Sequence, residues 1–289
     1  MMLEELRTLV LFAEEGSIQK VARRLPLTQP AVTRQLQRLE DVLGTTLLDR
    51  RQKPPRLTAA GLEVLTRARY ILASVEALKS FAAEAEPRGV LRVGLAHGLS
   101  DAAVANAIAG AATAFPKASL RLRTAWSAEL VDQFDRGQLD MAIVLRPFDY
   151  EGPGALGIER LSVIAQSGGS AHDLETQSSM PWVLSPEPCD ARQTLLSGMG
   201  RDERRRLVVA AEIQDPAMQM AWVRRGHGLG LMPSRLAARG IPDGLALVDA
   251  GDLDLSMRVV ALCSPHLNAL AKVADAIAQA VGKAIAGDN

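Results

Sequence analysis

Apolar side chains in the N-terminal part of the chain recur every three to four positions, the spacing of one helix face. Over residues 3–13 they are Leu3, Leu6, Leu9, Val10 and Ala13. Glu15-Gly16-Ser17 interrupts that face, with Gly16 as a cap and Ser17 as the N-cap of a second helix. That helix runs over 18–24 and turns Ile18, Val21, Ala22 and Leu25 inward. After a turn at Pro26-Leu27, Thr28 caps a third helix with Pro30 in its first turn, where a missing N–H is harmless. Ala31, Val32, Leu36 and Leu39 face inward there, and Gly44 ends the pattern. Thr28, Gln29, Thr33, Arg34, Gln37 and Arg38 face outward. Residues 45–58 hold two short apolar pieces, Leu47-Leu48 and Leu57, around a basic loop from Arg50 to Arg56, which predicts a hairpin or wing.

From Ala59 to Glu86 the helical pattern continues without proline, and without glycine after Gly61. Val64, Ala68, Ile71, Val75, Leu78, Ala82 and Ala85 alternate by four and three, an a/d seam. A lone helix of this length is marginal in water, so the seam predicts pairing with a second copy of the chain. Pro87-Arg88-Gly89 closes it as a hinge.

Beyond residue 90 the pattern changes to short strands alternating with helices. Strands are predicted at Val90–Ala96, Leu120–Ala125, Leu139–Leu145, Leu161–Gln166, Trp182–Leu184, Arg206–Ala211, Leu245–Val248 and Met257–Cys263. Helices are predicted over 100–115, 128–136, 190–199, 215–226, 233–239 and 266–284. Such alternation implies an α/β class with parallel sheets covered on both faces. Ser167-Gly168-Gly169-Ser170 reads as a crossover between two halves.

Charge sharpens this picture. The whole chain has a formal net charge of zero, yet residues 20–58 carry nine basic side chains against three acidic ones. Phosphates respond to local charge, so this stretch is the candidate nucleic-acid surface. Residues 18–40 have the form of a helix-turn-helix, whose second helix presents polar side chains to a major groove. Gln29, Arg34 and Arg38 can bond base edges, and Thr28 and Thr33 can bond phosphate or touch a thymine methyl. The loop carrying Arg50, Arg51, Lys53 and Arg56 suits phosphate or minor-groove contact.

Two cysteines, Cys189 and Cys263, do not make a disulfide framework. The first ten residues lack a signal-peptide core, and no apolar run approaches the ~20 residues that span a bilayer. A cytoplasmic protein with no membrane partner is expected. The four histidines are scattered, and G-x-S-x-G, P-loop and H-E-x-x-H patterns are absent from the sequence. No enzyme activity, metal or cofactor is expected.

Residues 3–62 closely resemble the N-terminal domain of LysR-type transcriptional regulators. The resemblance is carried by Leu6-x-x-Leu9-x-x-Phe12-x-Glu14-Glu15-Gly16-Ser17, Ala22-x-x-Leu25 and Thr28-Gln29-Pro30-Ala31-Val32-Thr33-x-Gln35-Leu36-x-x-Leu39-Glu40. It continues through Leu43-Gly44-x-x-Leu47-Leu48-x-Arg50 and Leu57-Thr58-x-Ala60-Gly61. Threonine stands at 28 and 33 where serine is usual, and Leu48 where phenylalanine is usual. The resemblance implies that Gln29, Pro30, Thr33, Arg34 and Arg38 belong to a recognition helix, with Arg50, Arg56 and Thr58 in or beside a wing.

The C-terminal part resembles the same family more loosely, through Leu91-Arg92-Val93-Gly94, Phe115-Pro116, Gly137-x-Leu139-Asp140-Met141-Ala142-Ile143-Val144 and Val223-x-x-Gly226-x-Gly228-Leu229-Gly230-Leu231-Met232-Pro233. The resemblance implies a winged helix-turn-helix over 1–58, a dimerising linker helix over 59–87 and a periplasmic-binding-protein-like effector domain over 88–289. That domain would comprise two Rossmann-like lobes, one at about 90–162 and 266–289, the other at about 163–265. A small molecule would bind between them. Register assigns His97, Gly98, Ser100, Ser127, Arg146, Gln214 and Asp215 to that cleft. Arg146 would pair a carboxylate. Ser127 and Asp215 read equally as helix caps. The glycines at 226 and 228 follow a helix, so they lack the positive N-terminus that holds phosphate.

Cys189, at a predicted helix start where a thiol pKa falls, resembles the reactive cysteine of peroxide-sensing members; the other reading is a buried small residue, as Cys263 is expected to be in its strand. Gly198 stands where their second cysteine falls. The implied partners are double-stranded DNA, a small-molecule effector, a second copy of the chain, a homotetramer, and RNA polymerase if the protein activates.

Overall fold

The computed structural model describes residues 2–52, 54–80, 86–168, 180–199 and 207–287. Its N-terminal unit is built from α1 (Met2–Glu15), α2 (Ile18–Arg24) and α3 (Gln29–Leu43). A hairpin of β1 (Leu48–Asp49) and β2 (Arg56–Leu57) follows, then α4 (Ala59–Ser80). The inward residues read from the pattern form one core, including Leu9, Phe12, Val21, Val32, Leu36 and Leu39. Thr28 caps α3 by accepting from the Ala31 N–H, and Gly44 closes that helix in the left-handed conformation at φ 63°. Ser17 holds the N-cap position of α2 without a side-chain cap bond.

The seam on α4 needs correction at its start. Ala68 is fully buried, and Val64 and Leu72 pack with it inside the core of the same chain. α4 follows the hairpin directly and packs on α1, so its first turns are covered from within. Ile71, 42% exposed, and half-buried Val75 remain for an outside partner. The Leu78 side chain, Ala82 and Ala85 lie outside what is described.

The C-terminal part holds β3 (Gly89–Ala96), α5 (Ala102–Thr113), β4 (Ala118–Ala125), α6 (Ser127–Asp135), β5 (Met141–Pro147) and β6 (Ala155–Gln166). Then come β7 (Trp182–Leu184), α7 (Asp190–Gly198), β8 (Val209–Glu212), α8 (Pro216–Arg224), β9 (Gly230–Pro233) and α9 (Ser234–Ala237). β10 (Leu245–Val248), β11 (Ser256–Cys263) and α10 (Ala271–Ala286) complete the chain.

The expected parallel sheets are in fact mixed. β3 pairs in parallel with β4 and β5, and β7 with β8. β11 runs antiparallel to β5 and β6, and β6 antiparallel to β9 and β10. The reason is β6, which begins at residue 155, six before the predicted start. Its Ala155–Arg160 half pairs with β11, and its Leu161–Ile164 segment pairs with β9. One strand thus threads both lobes.

The crossing lies inside β6 at Arg160-Leu161, where the Leu161 N–H bonds the Leu255 carbonyl of the returning segment. It does not lie at Ser167-Gly168, which follows β6; Gly169 and Ser170 are outside the described residues. The return comes at 255–256, since β11 bonds β5 from Met257 to Cys263, so this strand belongs to the first lobe. The early part of β6 was hidden because Ala-Leu-Gly-Ile-Glu-Arg has little strand character. It is held by tertiary packing, with Gly157 set against Ile285 of α10.

Candidate DNA-binding face and effector cleft

The outward face of α3 forms as the pattern predicts. Thr28, Gln29, Pro30, Arg34, Gln37 and Arg38 are exposed, and Thr33 is half-buried with its hydroxyl donating to the Gln29 carbonyl. Arg34 and Arg38 have no ion-pair partner among the described residues. They sit one turn apart on a helix whose other side is locked into the core by Val32, Leu36 and Leu39. The hairpin places Arg56 opposite Asp49.

Two arginines of the loop are held by the protein itself. Arg50 donates to Glu40 at 2.7 Å, and the other oxygen of Glu40 accepts from the Leu47 and Leu48 N–H groups. Burial works to raise this carboxyl, but those hydrogen bonds outweigh it and hold Glu40 below the usual carboxylate range. Arg51 pairs with Asp49, whose carboxyl is lowered to about 2 by side-chain and backbone bonds from Arg51. Glu40 therefore fastens hairpin to recognition helix, a role the sequence pattern did not reveal. Thr58 is engaged structurally: its hydroxyl donates to the Thr46 carbonyl and accepts from the Gly61 N–H, starting α4. Lys53 lies outside the described residues.

The cleft candidates divide. His97 opens a 3-10 turn and stacks edge-on with Trp126 at 4.8 Å between centroids. Burial lowers its pKa, opposed by Glu129. The Ser100 hydroxyl donates to the His97 carbonyl and closes that turn. At Gly98 any Cβ would come within 2.9 Å of Leu145 Cδ1. Ser127 is buried, and its hydroxyl accepts from the Leu145 N–H. The N-cap position falls to Trp126, without a side-chain cap bond.

Arg146 has a buried Nε with no hydrogen-bond partner among the described residues and lies 5.6 Å from the Tyr150 ring. Gln214 is exposed, and Asp215 caps α8 by accepting from the Met218 N–H. The structure thus brings Ser127 and Arg146 toward one place, while Ser100 and Asp215 serve their own backbone.

Sequence reasoning missed what faces them from the second lobe. Asp190, the first residue of α7, reaches the Ser127 N–H at 3.4 Å. Burial raises its pKa, and hydrogen bonds from Ser127 and the charge of Arg146 oppose that rise. The lobes are also tied by Arg235 of α9, which bonds Glu159 of β6 at 2.7 Å and Asp101, the N-cap of α5. A charged residue inside an α/β pattern gives no hint of such a partner across 134 residues.

Of the two readings of Cys189, burial supports the small buried residue over the reactive thiol. Cys189 does stand at the N-cap of α7, but it is buried and burial pushes its thiol pKa up. Cys263, expected to be buried in its strand, ends β11 as predicted but is exposed. Gly228 serves packing, as its Cβ would lie 2.3 Å from the Pro181 carbonyl oxygen.

A capped recognition helix and hairpin joined to two bridged α/β lobes define a DNA-binding module coupled to a ligand-binding domain. Residues 3–62 match the bacterial regulatory helix-turn-helix protein family, lysR type, and residues 84–286 match the LysR substrate binding domain. The HTH-type transcriptional regulator ClcR of Pseudomonas putida is 29% identical over 252 residues, covering 83% of this chain and 85% of that protein. A full-length OxyR variant from Pseudomonas aeruginosa superposes with a TM-score of 0.77 at 20% identity, covering 96% of this chain and 94% of that one. Full-length CbnR complexed with its target DNA gives a TM-score of 0.57 at 23% identity, covering 97% of this chain and all of that one (100%). The chain belongs to the LysR family of DNA-binding transcription regulators.

No helix among the described residues is long and apolar enough to cross a membrane.

Proposed function

We propose that this regulator reads duplex DNA through Gln29, Thr33, Arg34 and Arg38 of α3, with Thr28 and Pro30 setting the helix entry. Arg56 and the Arg50–Lys53 tip flank it on the backbone. The observation that carries this reading is the pair of guanidiniums, Arg34 and Arg38, without an ion-pair partner among the described residues and displayed on the exposed face of a helix locked into the core. Two copies joined through the exposed part of α4 would set two such helices on a two-fold site, and pairs of dimers would give a tetramer. The protein works in the cytoplasm with no catalytic step, and would contact RNA polymerase if it activates.

The effector reading rests on Arg146 and Ser127. A small carboxylate entering between the lobes would take the place of Asp190 beside Ser127 and pair with Arg146, whose Nε is otherwise unanswered. His97, Gly98 and Gln214 would border it. Binding one lobe arrangement better than another would shift the DNA-binding geometry.

Arg34→Ala tests the DNA reading. If Arg34 reads a base, affinity for a selected operator falls by about 1–3 kcal/mol and discrimination relaxes at one position. Unchanged affinity by fluorescence anisotropy at several salt concentrations removes Arg34 from the contact surface.

A further inference from the structure

A cavity of about 310 Å³ opens between α1, α4 and the first lobe, away from the cleft. Thr66, Arg69 and Tyr70 lie on one face of α4 and make its contacts with that lobe. The Thr66 hydroxyl donates to the Arg136 carbonyl at 2.6 Å, Arg69 to the Gly137 carbonyl at 2.7 Å, and Tyr70 meets His266 edge-on at 4.7 Å.

The charges around this cavity do not cancel. Arg92 is matched by a two-pronged pair with Asp140, at 2.6 and 2.9 Å. Arg24 is matched by Glu15 and, at 3.5 Å, by Glu14. Arg69 and Arg121 also line the space, and neither has a carboxylate partner among the described residues. Arg69 Nε is buried with no hydrogen-bond partner among the described residues. Burial and the neighbouring Arg92 pull the Arg69 pKa down to about 10. A buried donor without a partner, on a cation repelled by Arg92 and only partly offset by Glu14 and Asp140, is a costly arrangement that an anion relieves. The rest of the wall is mixed: Val10, Leu72, Phe134 and Leu139 form an apolar patch, and Ser264 and His266 are polar.

We infer that this cavity binds a small organic carboxylate with an apolar body, its carboxylate between Arg69 and Arg121 and its body against Phe134 and Leu139. The volume is at the lower end of small-molecule sites. The apolar patch favours such a ligand over inorganic phosphate, which would leave that patch wet. The site joins the DNA-binding module to the effector domain, so its occupant stiffens that junction. Its influence on operator affinity rests on the DNA-binding reading above; the binding itself does not.

The test titrates the full chain with benzoate, hexanoate and inorganic phosphate by calorimetry. Arg121→Gln changes an exposed side chain, Arg69→Gln removes the orphaned donor, and Arg146→Gln reports on the cleft. The expected result is saturable carboxylate binding that weakens by tenfold or more in each of R121Q and R69Q and persists in R146Q, with phosphate binding more weakly. The inference is overturned if no carboxylate binds, if phosphate binds better than both carboxylates, or if only R146Q weakens binding. Operator affinity measured in parallel separates the two readings: a chain that binds DNA but fails these titrations overturns this site alone.

Discussion

Replacing Arg235 with Met removes the cation that ties the two lobes. Its side chain is 8% exposed, between Glu159 at 1% and Asp101 at 17%. Methionine restores most of the volume, so the loss is electrostatic rather than a cavity. What remains is a carboxylate with almost no access to water. Breaking a buried pair by removing one partner costs about 3–5 kcal/mol, because the other charge stays buried. At ~2–4 °C per kcal/mol for a domain of this size, melting should fall by roughly 6–20 °C.

The pH dependence gives a second handle. Glu159 is raised by its burial even beside Arg235, so the folded state holds its proton to higher pH than the unfolded chain. Stability from this group therefore falls as pH rises from its ordinary value through the folded one. Burial works to raise Asp101 too, but bonds from Arg235 and two backbone N–H groups hold it lowered. Its contribution is present above its unfolded pKa and fades as pH falls through the folded one. Without Arg235 both carboxyls move up, so the R235M deficit should shrink on going from pH 8 to pH 5. Urea unfolding followed by circular dichroism measures this. A deficit under 1 kcal/mol at pH 7, or one independent of pH, refutes the reasoning.

Other consequences follow from single contacts. Glu40→Gln should free Arg50 and loosen the hairpin, lowering operator affinity by about threefold to tenfold without a comparable fall in melting temperature, checked by anisotropy and calorimetry. Asp190→Asn should tighten carboxylate binding in the cleft by roughly fivefold or more, since like charges side by side disfavour the anion; weaker binding would contradict its placement. Gly94→Val puts a Cβ 2.7 and 2.8 Å from Leu139 and Leu130 methyls and should destabilise by about 1–3 kcal/mol in a thermal melt. Mild peroxide at pH 7 should leave Cys189 unmodified in the folded chain, as read by mass spectrometry; rapid sulfenic acid formation there would restore the sensor reading.

The parts legible in the sequence are those where local chemistry and tertiary contact agree. Thr28, Pro30 and Gly44 each fix a backbone conformation by themselves, so α3 and its exposed face could be read directly. The inward leucines of α1 and α3 needed no knowledge of their partners, because a 3.6-residue period names a buried face without naming what buries it. The same property misled on α4, where a heptad seam and an intrachain core look alike until α1 is seen against Ala68.

Contacts between distant elements stayed hidden for a related reason. Asp190 reads as an ordinary first-turn acid and Arg235 as a solvated arginine; only the passage of β6 through both lobes brings each to its partner. Arg69 is the sharpest case. Its helical position marks it as surface, and it becomes a half-buried cation, bonded to the Gly137 carbonyl but with its Nε unanswered among the described residues, only when the first lobe docks on α4. Arg146, Arg192 and Arg235 also carry a buried nitrogen without a hydrogen-bond partner among the described residues, but Arg69 is the one set between the DNA-binding and effector modules, where an occupant touches both.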